Sequence, residues 1–202
     1  MVGQPARLIR RVAGVLALAV LAAASNAAAQ DYTIDGGCRE GQAHGAYELR
    51  DGSGRVQVVG AFARGKRAGS FLFWSSSGVR IAQLPFDDDT LSGTLALWYS
   101  SADRSGEGRH KLEATYVGGR LHGIKRSWYP DGRPRAEFRY DKGTLVDARA
   151  FNEAGRALSA VDAKALAATD LETDERYFAT LNDIVRTHRP HCAPAADRLE
   201  RS

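Results

Sequence analysis

Short runs of alternating hydrophobic and polar residues recur along most of the chain, each bounded by turn-forming residues. In residues 134–140, Ala136, Phe138 and Tyr140 occupy one set of alternate positions, and arginine and glutamate occupy the other. A period of two residues is typical of a β-strand with one buried face. The other predicted strands, rich in aromatic and branched side chains, cover residues 70–75, 79–85, 94–100, 112–117 and 124–129.

These strands belong to a repeat. Units begin at positions 41, 65, 89, 119 and 143, so they are spaced by 24, 24, 30 and 24 residues. The long spacing contains residues 101–110, a polar stretch that we predict to be an inserted loop. Strand, turn, strand and turn within one unit predict a β-hairpin per repeat. Stacked hairpins bury a continuous strip that a single hairpin cannot bury alone.

A glycine-rich turn opens each unit. Two glycines separated by three residues fit a tight turn, because glycine adopts positive φ without strain. Unit three departs from this pattern with Asp89 in place of the first glycine, inside the acidic run 87–89. We expect that run to be a solvated loop, with cation binding as the alternative. The residues of the turn motif are Gly41, His44, Gly45, Gly65, Gly69, Gly93, Gly119, His122, Gly123 and Gly143.

The repeat also generates two aromatic columns. The first contains Phe62, Phe86, Tyr116 and Tyr140, each three residues before a unit start. The second contains Trp74, Trp98 and Trp128, with Tyr99 and Tyr129 beside it. We predict that the first column is core. For the second, two interpretations are open: a further part of the core, or a groove that binds a ligand or partner by stacking.

Residues 1–29 have the organisation of a secretory signal peptide. Arg7, Arg10 and Arg11 form a positive segment, residues 12–24 are apolar, and three alanines at 27–29 predict cleavage after Ala29. The apolar stretch is short and alanine-rich for a membrane span. We therefore expect a periplasmic or secreted protein, not transmembrane after cleavage of a Sec-type signal.

Removal of this segment changes the charge balance. Three of the 28 basic residues lie in it and none of the 24 acidic ones do, which leaves 25 against 24. A nearly neutral mature chain gives no support for nucleic-acid binding, which requires an excess of positive charge.

The two cysteines, Cys38 and Cys192, lie near the two ends of the mature chain. In an oxidising compartment such a pair usually forms a disulfide. The alternative is a metal site with His188 and His191, but three candidate ligands on one short segment are weak evidence for it. We predict the disulfide and no metal.

The motif of unit four reads Tyr116-x-x-Gly119-x-x-His122-Gly123-x-x-x-x-Trp128-Tyr129-Pro130-Asp131-Gly132. It resembles the bacterial variant of the MORN repeat, some members of which are described as antitoxin-like, and the resemblance covers residues 41–155. It implies antiparallel hairpins stacked into an elongated, curved single sheet. It also implies scaffold, partner-binding or membrane-associated roles.

The repeat ends after Gly155, so we divide the mature chain into an array at 30–157 and a helical cap and tail at 158–202. Ser159 is a candidate N-cap for an alanine-rich helix over 159–169. Asp170 is a candidate cap for a second helix ending near His188, with an apolar stripe that includes Phe178. We expect these helices to cover the open edge of the last hairpin; a partner-binding helix is the alternative.

The sequence contains no nucleophile elbow, HExxH motif, P-loop or dinucleotide fingerprint. His44 and His122 share one repeat position and are motif residues of the turn, not a catalytic pair. We therefore predict a non-enzymatic binding or scaffold module of the cell envelope, without a cofactor. Its partner is a protein first, with a glycan or lipid headgroup as alternatives. A neutraliser of an exported toxin is the second hypothesis, and a hydrolase with converging histidines and carboxylates is the third.

Overall fold

A computed structural model describes residues 31–102 and 108–194 of the protein. The predicted signal peptide, its cleavage point after Ala29 and the tail at 195–202 lie outside the described residues. The described chain forms thirteen strands and one helix. In chain order they are β1 (Thr33–Arg39), β2 (Gln42–Arg50), β3 (Val56–Ala63), β4 (Lys66–Arg67), β5 (Gly69–Trp74), β6 (Arg80–Asp87), β7 (Thr90–Leu91), β8 (Gly93–Ala102), β9 (Gly108–Val117), β10 (Arg120–Leu121), β11 (Gly123–Trp128), β12 (Pro134–Asp141), β13 (Thr144–Ala150) and α1 (Ala160–Thr187).

All thirteen strands belong to one open antiparallel sheet. The ten long strands pair in chain order, β1-β2-β3-β5-β6-β8-β9-β11-β12-β13. The two-residue strands β4, β7 and β10 pair with β3, β6 and β9. The predicted fold class, hairpins stacked into a single sheet with a C-terminal helix, is confirmed.

Each hairpin turns through two residues with positive φ. In unit two these are Arg64 at 50° and Gly65 at 75°, between the paired residues Ala63 and Lys66. Two consecutive left-handed residues define a type I′ turn, whose twist matches that of the flanking strands. The five turn pairs are Glu40-Gly41, Arg64-Gly65, Asp88-Asp89, Gly118-Gly119 and Lys142-Gly143. Each predicted unit start is thus the second residue of a tight turn, and the acidic run contributes one of these turns.

A second kind of turn connects successive hairpins. In this turn, the backbone N–H of the first residue donates to the carbonyl of the fifth residue. The backbone N–H of the fourth residue, a glycine, donates to the carbonyl of the first. Side chains reinforce it: Asp51 Oδ1 accepts the N–H groups of Ser53 and Arg55, and Asn152 Oδ1 accepts those of Ala154 and Arg156. These are the local side-chain bonds that make Asp and Asn turn formers. Three of these turns, at 51–55, 75–79 and 129–133, connect successive hairpins, and a fourth turn of the same kind, at 152–156, follows β13.

The prediction of a loop over residues 101–110 is wrong at both of its ends. Strand β8 continues to Ala102 and β9 starts at Gly108, and these two residues pair. The insertion thus lengthens a hairpin, because polar residues continue the ladder at a sheet margin where no apolar face is needed. Residues 103–107 lie outside the described residues.

One face of the sheet carries the core. The Phe/Tyr column is buried as predicted, with exposed fractions of 8% or less for Phe62, Phe86, Tyr116 and Tyr140. Gly60 shows how tightly this face packs, since a Cβ there would lie 2.6 Å from two atoms of the Phe71 ring. Glycine at that position therefore makes room for an aromatic ring.

Helix α1 crosses this apolar face from the last hairpin to the first. Near its start, Leu158 N–H donates to Ala150 O in β13. In its middle, Phe178 packs edge-on against Tyr116 of β9, and past its end the carbonyl of His188 accepts from the Tyr47 hydroxyl of β2. Its 28 residues correspond to about 42 Å, and ten strands span about 43 Å. The helix is therefore as long as the sheet is wide.

The prediction of two helices is wrong. Ser159 is the N-cap, as predicted, and accepts the N–H of Asp162. Asp170 lies inside the single helix, where its carboxylate forms a bidentate ion pair with Arg135 of β12. A carboxylate with a strong tertiary partner has no need of helix N–H groups, so its presence does not mark a helix start.

The predicted disulfide is confirmed. A disulfide joins Cys38 in β1 to Cys192, which lies four residues after the helix C-cap His188. The two residues are 154 positions apart in sequence, and their Cα atoms are 5.6 Å apart. Because α1 begins at the last hairpin, this bond fixes its far end to the first strand.

We expect the variant Cys38→Ser/Cys192→Ser to fold and to lose roughly 2–5 kcal/mol of unfolding free energy. The physical reason is the restored freedom of a very long loop in the unfolded chain. Urea unfolding of the oxidised wild type and the variant measures the difference, with reduced wild type as control. Equal unfolding midpoints would contradict a stabilising role for the bond.

Hydrogen bonds in the first interhairpin turn lower the pKa of Asp51 from 3.8 to about 2, chiefly the bond from the Ser53 hydroxyl. A lowered folded pKa means that the carboxylate stabilises the fold at neutral pH and that this contribution is lost as the pH falls from about 4 towards 2. A carbon-detected NMR titration should give this midpoint. Asp51→Asn should keep the turn, as Asn152 does in the last one, and remove the acid-linked loss; a midpoint near 3.8 would disprove the assignment.

Candidate functional site

The three tryptophans lie at equivalent places on the face of the sheet opposite α1. Trp74 and Trp128 end β5 and β11, and Trp98 lies in β8. The residues immediately before them are buried on the core side: Phe73, Leu97 and Ser127. Since neighbouring strand residues point to opposite faces, the indoles project from the uncovered face, where each is half-buried.

The tryptophans form a continuous row with two cationic or titratable side chains from the intervening strands. The Arg80 guanidinium lies 4.3 Å from the centre of the Trp98 ring. The His110 ring packs edge-on between Trp98 at 5.4 Å and Trp128 at 5.8 Å. Strand register adds Trp74, which pairs with Arg80. We call Trp74, Arg80, Trp98, His110 and Trp128 the tryptophan row.

Tyr99 and Tyr129 have a different role from the tryptophans that precede them. The Tyr99 hydroxyl donates to Trp128 O, and the Tyr129 hydroxyl donates to Phe151 O, both at 2.8 Å. Each bond joins one unit to the backbone of the next. Burial raises the pKa of Tyr99, so its hydroxyl remains a donor. The structure thus separates the five predicted site residues into three surface indoles and two links between repeats.

Arg80 and His110 are the members of the row that the repeat alone does not identify. Arg80 follows Trp74 across a short interhairpin turn, and His110 is paired with Trp98 across the insertion. Continuing the strand pairing through each turn places Arg80 opposite Trp74 and His110 opposite Trp98. Because residues 101–110 are predicted to form a loop, the sequence predicts no strand partner for His110.

A ladder of alternating charges runs beside the row on the same face. Arg126 pairs in register with Glu113 on one side and Glu137 on the other, and Glu137 pairs with Arg149. Arg126 Nε lies 3.1 Å from Glu137 Oε2, with both side chains more than 40% exposed. Exposed pairs of this kind contribute little stability, but they fix a pattern of charge that a partner can match.

The histidines do not converge on one another. His44 in unit one and His122 in unit four contact different groups. His44 Nδ1 accepts the Arg64 N–H at 3.4 Å, whereas His122 Nδ1 lies 3.4 Å from an Asp141 carboxylate oxygen. His188 packs against Tyr32 at the helix end, and His110 belongs to the tryptophan row. Cys192 is held in the disulfide, so it is not free as the thiolate of a site with His188 and His191.

Groups with shifted pKa values lie in the core and in the interhairpin turns. Burial raises the pKa of Tyr47 and of Tyr140 to about 12, and Tyr47 donates to a helix-end carbonyl. The backbone N–H of Arg133 lowers the pKa of Asp131 in an interhairpin turn. Within the described residues, no group of three or more His, Cys, Asp or Glu side chains is arranged to hold a metal ion. The helix of the described chain is too polar to cross a bilayer.

One ion pair is buried between the sheet and the helix. Lys125 of β11 is 2% exposed, and its Nζ lies 2.5 Å from Asp174 Oδ2 of α1. Other units carry Phe71 and Leu95 at the same repeat position, both fully buried. Desolvation raises the pKa of Asp174, and the Lys125 charge opposes that shift. This pair therefore contributes more to the registration of α1 on the sheet than to net stability.

No protein-family model and no curated protein matches this chain.

We expect Asp174→Ala to lower the unfolding free energy by about 3–5 kcal/mol, because it leaves the Lys125 ammonium buried without its counter-charge. The double variant Lys125→Leu/Asp174→Leu should recover most of that loss, since leucine fills this position in unit three. Chemical denaturation of both single variants and the double variant measures the coupling. Additive losses would show that the two side chains do not depend on each other.

Proposed function

We propose that the mature protein is an exported, non-enzymatic binding or scaffold module of the cell envelope and that its uncovered sheet face binds a protein partner. The tryptophan row is the observation that carries the proposal. It places three half-buried indoles, a guanidinium and an imidazole on the face that α1 leaves open.

The composition of this face favours a protein partner. Tryptophan and arginine are the residues most enriched at the energetic centres of protein interfaces. In the row, Arg80 and His110 hold the Trp98 ring by stacking and edge contacts, so little side-chain freedom is lost on binding. The charge ladder through Arg126 and Glu137 supplies a polar margin, as interfaces have around an apolar centre.

A binding role also accounts for the chemistry of the titratable groups. The carboxylates with lowered pKa values act in turns, as Asp51 and Asp131 do. The one with a raised pKa, Asp174, belongs to helix α1 and is paired with the buried Lys125. None of these three carboxylates belongs to the tryptophan row. A general acid or base has to lie within hydrogen-bond reach of the substrate, in the cleft where the substrate binds.

Export to the envelope is supported by two independent features. The disulfide between Cys38 and Cys192 persists in oxidising compartments and is rare in the cytosol. The first 29 residues have the charge and hydrophobic pattern of a signal peptide. The resemblance to bacterial MORN-like repeats agrees with a scaffold role, and membership of that family is part of the proposal.

The test is capture of a defined envelope partner by the mature protein and by Trp98→Ala/Trp128→Ala. Removing two indoles should weaken binding of that partner at least tenfold, because each truncation at an interface centre costs about 1–2 kcal/mol or more. Affinity is then measured with the purified partner by calorimetry. Because the indoles lie outside the core, the variant should unfold within a few degrees of the wild type.

The matched control lies on the same face, away from the row. Thr94 and Thr115 are exposed and hydrogen-bonded to each other at 3.2 Å, and Thr94→Ala/Thr115→Ala should bind like the wild type. A partner that binds the tryptophan variant and the wild type equally would show that the row is not its site.

A further inference from the structure

A groove runs along one flank of α1, on the opposite face of the sheet from the tryptophan row. It consists of two pockets, of about 480 Å³ and about 360 Å³, and both are lined by Ala179 and Asn182 of the helix. Each volume falls in the range of small-molecule sites. The sheet wall of the groove comes from the short strands that follow the hairpin turns: Arg67 of β4, Leu91 of β7 and Leu121 of β10.

The smaller pocket is mostly apolar. Leu91, Leu121 and Tyr116 line it from the sheet, and Leu171 and Phe178 line it from the helix. Phe178 and Leu121 are each 5% exposed, so these side chains form a fixed floor. The hydrocarbon chain of a ligand placed there would be removed from water, and no core side chain would have to move.

The larger pocket is cationic. Arg67 lines it from the sheet, and Arg186 and Arg189 line it from the end of the helix. Asp89 and Asp183 also line it, but each is already paired: Asp89 with Arg67 at 2.8 Å and Asp183 with Arg186 at 2.5 Å. Among the described residues, Arg189 forms no ion pair with a carboxylate. The pocket therefore has one guanidinium in excess.

Two departures from the repeat meet at this pocket. The position of Arg67 is occupied by Ala43, Leu91, Leu121 and Leu145 in the other units. Asp89 stands where the other turns have glycine, in the left-handed region at φ 69°. A non-glycine residue there costs of order 1 kcal/mol, and such strain is typical of functional sites. Both departures place a charged side chain at the same end of the groove.

Aromatic rings hold the guanidinium groups in place. Arg67 lies 3.9 Å from the centre of the Phe86 ring, and its N–H groups donate to Asp89 and Asn182. Arg189 lies 5.0 Å from the centre of the Phe62 ring and donates to the Gly65 carbonyl. Stacked and hydrogen-bonded in this way, the groups lose little freedom when they bind an anion.

We propose that this groove binds an apolar carboxylic acid. The carboxylate pairs with Arg189, with Arg67 beside it, and the hydrocarbon body lies along the helix towards Phe178. A single negative charge matches the single unpaired guanidinium, and planar guanidinium groups bind carboxylates with two parallel hydrogen bonds. The helical rise separates Arg186 and Phe178 by about 12 Å, a distance that a medium-length alkyl chain spans. This site is independent of the uncovered face.

The test is calorimetric titration of the mature protein with dodecanoate below its micelle concentration. We expect saturable binding of one molecule, weaker for octanoate and butanoate by roughly fourfold per methylene removed from the apolar pocket. Dodecyltrimethylammonium, which has the same chain and the opposite charge, should bind at least tenfold more weakly. Absence of saturable dodecanoate binding, or equal binding of the two amphiphiles, would overturn the proposal.

Variants separate a binding role from a structural one. Arg189→Gln removes the unpaired guanidinium, so it should lose at least tenfold in dodecanoate affinity. Arg67→Leu/Asp89→Gly restores the residues of the other units and removes one charge of each sign, so it should fold and weaken binding less than Arg189→Gln does. Ala179→Trp, at an exposed position shared by both pockets, should block the chain sterically, and Arg176→Ala, outside both pockets, should bind as the wild type does. Wild-type affinity in Arg189→Gln, or in Ala179→Trp, would show that the groove is not the site.

Discussion

The structure depends on the burial of one face of a single-layer sheet. Five hairpins in series present a strip of aromatic and aliphatic side chains from Tyr47 to Tyr140. Neighbouring hairpins pair side by side within the sheet, so they do not cover the face of this strip. Helix α1 covers the strip, with Ala163 and Ala167 permitting close approach at one end and Phe178, Leu181 and Val185 filling the rest. The hydrophobic contribution of the array is therefore shared between the repeats and the helix.

The direction of α1 across the sheet is fixed by polar contacts placed along it. Asp170 pairs with Arg135, Asp174 with Lys125, and Asn182 with Arg67. These partners come from β12, β11 and β4, so each contact specifies a different strand. Non-directional packing alone would allow the helix to slide along the strip, whereas three separate polar contacts define one register. The disulfide then holds the end that lies farthest from the last hairpin.

The sequence predicted what depends on local patterns and missed what depends on tertiary partners. Turn glycines, alternating strands and the Phe/Tyr column follow from backbone conformation and period; the structure has positive φ at those glycines and buries that column. The local pattern at Asp170 predicts a helix cap, because its actual partner, Arg135, lies on another element. His110 was assigned to a loop because its pairing with Trp98 crosses an insertion. The contact between Arg67 and Asp89 forms because β4 lies beside the third hairpin turn. The sequence alone does not show that these two segments are neighbours.

The match between helix length and sheet width limits how this protein can change by duplication. Repeat arrays usually gain or lose units freely, since each unit contacts only its neighbours. Here one extra hairpin would widen the sheet by about 10 Å, and α1 would need about six more residues to reach the first strand. Without them, Cys192 could not meet Cys38. The number of units and the length of the helix are therefore coupled, and a change in one requires a compensating change in the other.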